Sequence, residues 1–438
     1  MAIPNLVIPS EVEESLTVRL NNERCLPATA GLNMTKMARS QVAGVTHETA
    51  SSSRHQPKSL LYSTSARIGG TGLDVEALEK SLAAYRGGFL GKTIGYDNRQ
   101  REIPAALVQS LRWHPVRLLS SFERPYYYGA KKKYVDWIAS RHLATGRYDM
   151  FHSWSGDCLR SLRVTKKLGI PSLLEIPTWH RDGGNIVRDQ PRPKISRSGF
   201  RHWKENLIAD RDRFIEEYEL ADLLLVFSKK AAESFRVQGF PEEKFFYLPN
   251  GVDVDRFKPG TRPSIFRAIF SGALIERKGI HVVLEAWHRL GLKNAELWLI
   301  GSVHDEARPY LKKFWRDNIR VMGFVLDVEK YLNQGTIYVF PSALEGNAKT
   351  VNEAAASGLP VITTRESGDV VNDDVEGIIV PPGNVDAVMA AIVRLYEHPD
   401  IVERMSGAAR RRVVENFTWD HCRARLLRAY EVVMEKTG

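Results

Sequence analysis

From about residue 58 to the carboxyl end, short apolar runs alternate with amphipathic segments in two successive series. The first holds "SLLYSTS", "KTIGY", "YDMFHSW", "SLLEIP" and "LLLVFS"; the second holds "SIFRAIFSGAL", "AELWLIG", "IRVMG", "TIYVFPS" and "LPVITT". Strands this continuously apolar need cover on both faces, which helices packed on either side of a parallel sheet supply. Helical stretches such as "VEALEKSLAAY" and "GIHVVLEAWHRL" fall between them. In the latter, Ile280, Val283, Leu284, Trp287 and Leu290 recur at helical spacing. The rhythm breaks at "LPNGVDVDRFKPGTRPS", residues 248–264, with three prolines and two glycines. Such a stretch reads as a linker. The expected fold is therefore α/β: two doubly wound Rossmann-like domains facing across a cleft, with ligands beyond the carboxyl ends of the strands. The boundaries expected are 58–250, 251–418, and a helix at 419–438 crossing back to the first domain. Residues 1–57 lack this periodicity and end in the polar "THETASSSRHQPKS", as a disordered extension does.

Composition narrows the partners. No apolar run approaches the ~20 residues needed to cross a bilayer. Cys25, Cys158 and Cys422 are scattered and form no CxxC pair, which fits a reducing, cytoplasmic setting without a disulfide framework. A net charge of +10 favours anionic partners. The basic residues are dispersed and carry no zinc-finger or RNA-binding signature, so no nucleic-acid partner is expected.

The chemistry concentrates in "ALEGNAKTVNEAAASGLPVITT", residues 343–364. Glu345 follows a strand by a short loop, and Glu353 stands eight positions on, inside a helix. Cooperating carboxylates on one helix face are three or four apart, so these two are aimed at different parts of one ligand. Between them Asn347, Ala348, Lys349 and Thr350 approach a helix N-terminus, whose free amides and dipole favour an anion. Glu353 is placed to accept bonds from sugar hydroxyls. The competing reading is a capped helix with solvated glutamates. A second strand-to-helix turn, "FSGALIERKGI", carries Arg277 and Lys278 on the same cleft edge, where adjacent cations suit a diphosphate.

The pair Glu345 and Glu353 within "EGNAKTVNEAAASGLPVI" resembles the signature of the retaining glycosyltransferases of family four, which have the GT-B fold. "FSGALIERKGI", "YLPNGVDVDRFKP" and the closing "VVENFTWDHCRARLLRAYEVV" are similar to that family's other landmarks, in its order. The resemblance spans about residues 58–438 and is most specific in the second half. It implies transfer of a hexosyl group from a nucleoside diphosphate sugar to a glycan, lipid-linked or small-molecule acceptor. It implies no cofactor and no essential metal, the cations and amides replacing Mg²⁺. In that scheme Glu345 faces the transferred sugar, Glu353 holds the ribose, and Arg277 and Lys278 neutralise the diphosphate beside Gly272. Asn347 to Thr350 offer backbone amides, and Gly323, Phe324 and Val325 line the base. Gly69 and Gly70 let backbone approach sugar and acceptor, and His180 is the candidate histidine beside the sugar.

Three departures stand out. Ala273 occupies the place of a frequent family arginine. Gly346-Asn347-Ala348 replaces Gly-Phe-Gly. Pro177 holds the usual histidine position, with His180 three residues later. A non-catalytic nucleotide-sugar binder or scaffolding subunit is the first alternative, and a sugar-nucleotide epimerase or phosphorylase on the same fold is the second. "RPYYYGAKKKYVDW", residues 124–137, is a basic aromatic helix that could rest on an anionic membrane or pack on its own domain.

Overall fold

The computed structural model describes residues 59–111, 116, 124–183 and 211–437. The extension expected at 1–57 lies outside the described residues. The first series of strands comprises β1 (Leu60–Ser63), β2 (Leu90–Gly95), β3 (Val108–Ser110), β4 (Met150–Trp154), β5 (Ser172–Ile176), β6 (Leu223–Val226) and β7 (Phe245–Tyr247). They form one parallel sheet in the order β3-β2-β1-β4-β5-β6-β7. The second series comprises β8 (Phe266–Ser271), β9 (Ala295–Ile300), β10 (Ile319–Gly323), β11 (Ile337–Phe340), β12 (Val361–Thr363) and β13 (Gly377–Ile379). These make a parallel sheet in the order β10-β9-β8-β11-β12-β13.

Central strands are buried at every residue, as in β1, β4, β5, β6 and β11. The three strands that the apolar pattern does not announce are β3, β7 and β13. All three are sheet edges of three residues, mostly half-exposed, so they lack the two-sided apolar code. Strand order reverses between β1 and β4 and again between β8 and β11. Those are the switch points where crossover helices diverge and open a crevice.

Two apolar cores cover the two faces of the first sheet, and a third fills the second lobe. One face of the first sheet is closed by the last helix, Trp419–Thr437, through Cys422, Leu426, Tyr430 and Val433. Burying each such large apolar side chain contributes about 1.5–3 kcal/mol. The chain passes between the lobes twice, side by side: Val252 donates its amide to Phe417 O at 2.9 Å. Gly251 is required there, because a Cβ would come within 2.6 Å of the Trp419 ring.

Beneath that helix lies a buried polar network. Glu175 of β5 sits 3.0 Å from His152 Nε2 and 3.7 Å from Lys80 Nζ, and it accepts from Trp154 Nε1 at 3.0 Å. Tyr430 contacts His152 Nδ1 at 2.9 Å. Burial opposes the charge on Glu175, but Lys80 and the bonds from His152 and Trp154 hold its carboxyl below the usual range. His152 is thus a structural strand residue tied to the closing helix.

Candidate active site

The strands of the second sheet end in glycines that let their tips crowd together. Gly301 after β9 has φ 144°, and a Cβ on it would overlap Gly272 O at 1.9 Å. Its amide donates to Gly323 O at 2.8 Å, and the Gly272 amide donates to Ile300 O at 2.8 Å. Above these tips opens a cavity of about 600 Å³ shared by both lobes. Thr71, Gly72, Val75 and Glu79 form one wall. Opposite stand Gly272, Ala273, Gly301, Ser302 and His304, with Lys349, Thr350 and Glu353 from the helix Lys349–Ala356. Phe324, Val325 and Leu326 make an apolar side, Phe324 being 60% exposed.

The helix Lys349–Ala356 starts with its tip at this cavity. Its opening amides have no carbonyl one turn back, which leaves donors directed at a ligand. Ala348 is an exception that corrects the expected run of four donors. Its amide is already committed to Ser367 O at 2.8 Å. The Asn347 side chain also turns inward, accepting from Asn352 Nδ2 at 3.1 Å. The pair therefore shapes the loop, and the helix-tip amides of Lys349 and Thr350 are the ones left facing the cavity. Lys349 reaches across the cleft, its Nζ 2.9 Å from Gly72 O and 3.3 Å from Glu76 Oε1. Glu353 is half-buried, and desolvation pushes its carboxyl up to about 7 against the opposing pull of Lys349 and Arg256.

At the adjoining corner stand Glu345, Arg277 and Lys278. The Arg277 guanidinium donates to Glu345 Oε1 at 2.8 Å and also to Leu344 O. Arg277 is therefore a partner that holds Glu345 in place, which differs from a free cation awaiting a diphosphate. Trp179 of the first lobe donates to Glu345 O at 2.8 Å. Gly346 lies so close to that lobe that a Cβ would meet Pro177 O at 2.2 Å. Lys278 packs beside Gly272, and its Nζ sits 5.4 Å from the Phe340 ring centre. Burial lowers its pKa, with Glu345 pulling the other way. Among the described residues it makes no ion pair, so a partly desolvated ammonium stands beside the cavity.

Three expected site residues do not line the cavity. His180 is buried among the rings of Tyr218, Phe235 and Phe240. Its Nδ1 accepts the amides of Asp182 and Gly183 at 3.1 and 3.0 Å, so it orders its own loop and does not line the cavity. Gly69 and Gly70 adjoin the wall, which Thr71 and Gly72 form instead. The cavity also takes in residues that were given no site role, although they lie in the landmark stretches. Arg256 and Asp253 come from the linker, and Trp419 from the start of the closing helix. Arg256 donates to Leu326 O at 2.9 Å and pairs with Glu329 at 2.8 Å, which fastens the apolar side. The available signal was the linker's own charge pattern, "GVDVDRF", in a segment that had no need of an arginine merely to span a gap.

Residues 266–398 match the family model described as Glycosyl transferases group 1. The chain is 28% identical over 319 residues to an MMP alpha-(1->4)-mannosyltransferase of Mycolicibacterium hassiacum, covering 68% of this chain and 75% of that one. It is 25% identical over 314 residues to an uncharacterized glycosyltransferase of Methanocaldococcus jannaschii, covering 63% and 80%. Among solved structures, sucrose-phosphate synthase from Thermosynechococcus elongatus superposes with TM-score 0.66 at 18% identity, over 86% of this chain and 100% of that one. HepE of Anabaena in complex with UDP-glucose gives 0.59 at 15% identity, over 85% and 99%. The two facing Rossmann-like lobes are the GT-B fold. Among the described residues no helix is long and apolar enough to cross a membrane.

Proposed function

We propose that the chain is a metal-independent glycosyltransferase that moves a hexosyl group from a nucleoside diphosphate sugar to an acceptor hydroxyl with retention of anomeric configuration. One observation carries the reading: a helix tip and Glu353 line one cavity between the lobes, and Gly272 on its wall is backed by Lys278, half-buried and without an ion pair among the described residues, with Glu345 at the same corner. The group 1 match over the second lobe and a relative named as a mannosyltransferase support a sugar donor. A fold neighbour solved with UDP-glucose supports a nucleotide-linked one.

Each group then has a role. Breaking the glycosyl–phosphate bond leaves positive charge on the ring and negative charge on the diphosphate. Lys278 and the amides at the tip of Lys349–Ala356 stabilise the diphosphate by preorganised electrostatics, an effect on the order of 3–4 kcal/mol per well-placed donor. Arg277 fixes the orientation of Glu345, whose carboxylate faces the ring as charge develops there. Glu353 accepts the ribose hydroxyls, and the apolar side at Phe324 and Val325 takes the base. The departing phosphate takes the proton of the incoming hydroxyl on the same face. With Lys278 and the helix tip carrying the leaving-group charge, turnover persists in a chelator.

Thermal unfolding measured with UDP, GDP and ADP and their hexose conjugates tests the donor assignment. Saturating ligand at about 100 times its Kd adds about 2.7 kcal/mol, which raises the midpoint by several degrees. A panel in which no nucleotide moves the midpoint would sink the assignment.

A further inference from the structure

The acceptor side of the cleft carries a second charged cluster, away from the cavity described above. β1 and β2 end at Ser63 and Gly95, and the loops that follow run beside each other: the Tyr96 amide donates to Ala66 O at 2.9 Å, and the Arg99 amide to Ile68 O at 2.9 Å. Arg67 lies on the first loop, which continues into Thr71 and Gly72 of the cavity wall. Facing it is the helix Arg124–Leu143 with three consecutive lysines.

Those lysines have different surroundings. Lys132 Nζ is neutralised by Asp157 Oδ1 at 2.9 Å, and Lys133 is exposed. Lys131 is half-buried, its Nζ 4.5 Å from the Tyr96 ring centre and 5.0 Å from that of Tyr128. The hydroxyls of Tyr96 and Tyr127 are hydrogen-bonded to each other, and Tyr128 stays 51% exposed. Among the described residues neither Lys131 nor Arg67 makes an ion pair, although both are half-buried. Burial lowers the Lys131 pKa; Asp157 opposes it, Lys132 and Arg67 add to it, and Asp74 opposes it weakly. Asp157 is committed to Lys132 and Asp74 accepts the Arg67 amide at 3.0 Å, so three cations face two carboxylates and one positive charge is left for an anion to answer. The exposed Tyr128 ring beside Lys131 suits the apolar face of a sugar.

We infer that the acceptor is a saccharide carrying a carboxylate or phosphate, its anion held by Arg67 and Lys131 and its ring laid on Tyr128. The inference rests on the glycosyltransferase reading for the term acceptor, and on the cluster's own geometry for the charge. An anion at Arg67 puts the rest of the sugar along the loop that leads to Thr71 and Gly72, at the edge of the donor cavity.

The test is calorimetric titration of the full-length chain, with and without saturating UDP. The probes are methyl β-D-glucuronide, glucose 6-phosphate and neutral methyl β-D-glucoside. The expected result is at least about tenfold tighter binding of one charged sugar than of the neutral one, equivalent to about 1.4 kcal/mol. Which of the two binds tells a uronate from a sugar phosphate. Lys131→Met and Arg67→Met should each erase the preference, Lys131→Arg should retain it, and Lys133→Met should leave it unchanged. The UDP-induced thermal shift in the Met variants reports that they are folded and that the donor side is intact. Equal binding of all three sugars, no binding of either charged sugar, or a preference that survives both Met variants would overturn the inference. Loss of the UDP shift in the wild type would instead strike the functional reading and leave the charge preference standing or falling by itself.

Discussion

Two acid–base clusters in this molecule use similar residues to opposite ends. Under the first sheet, Glu175 and Lys80 are both 1% exposed and are ringed by His152, Trp154 and Tyr430. At the cleft corner, Glu345 and Arg277 are 17% and 43% exposed, and beside them Lys278 makes no ion pair among the described residues. The first cluster satisfies its charges internally and so is closed to ligands; it can only bind the closing helix to the sheet. The second leaves Lys278 without an ion pair among the described residues, behind Gly272 of the cavity wall, as the proposed charge-separating reaction requires. Under the proposed reading, satisfaction of charge, more than its presence, separates the structural cluster from the functional one.

The largest expected effect is on turnover at the open cluster. Glu345→Ala or Lys278→Ala should lower kcat by about 10²–10³ while shifting the unfolding midpoint little, because both groups are partly solvated. Steady-state rates with the preferred donor, alongside thermal unfolding, check this. A variant with full activity removes that residue from the site.

At the closed cluster the balance should invert. Glu175→Ala leaves Lys80 buried without its counter-charge and should lose about 3–5 kcal/mol of stability, read by urea unfolding. If the protein still folds, donor binding should persist, since Glu175 touches nothing in the cavity. A loss below about 1 kcal/mol would mean that the network is far better hydrated than its burial indicates.

The smallest effect is a pH dependence at Glu353. Its carboxyl is raised to about 7 by burial, above its ordinary 4.5, so the folded state holds a proton that the unfolded state has lost between those values. Stability should therefore fall as pH rises from about 4.5 to about 7 and then level off. Donor affinity should rise through the same upper value, because only the ionised carboxylate accepts both ribose hydroxyls. Glu353→Gln should flatten both profiles. Unchanged slopes in that variant would assign the titration to another group.

Much of this could be anticipated from the chain alone. The strands that are covered on both faces announce themselves as apolar runs, and β1, β4, β5, β6 and β11 all fall within runs read that way. The edge strands β3, β7 and β13 were silent because a half-exposed edge has no such pattern. Glu345, Glu353, Arg277 and Lys278 were legible because they sit at strand ends next to helix starts, where position along the chain already implies position at the cleft. The surroundings of His180 were not legible for the complementary reason: it lies beyond a strand end, but three rings from distant segments enclose it, and no local pattern reports them.

Residue order was therefore enough to specify two parallel sheets, a cleft and the acids and cations at its rim, because alternation and helix-tip chemistry are local. Folding alone decided that Arg277 orients Glu345, that Ala348 spends its amide on Ser367, and that Lys131 lacks the carboxylate its neighbour Lys132 has. Those outcomes depend on which partners arrive from remote parts of the chain and on how much water is left between them, neither of which is written in adjacent residues.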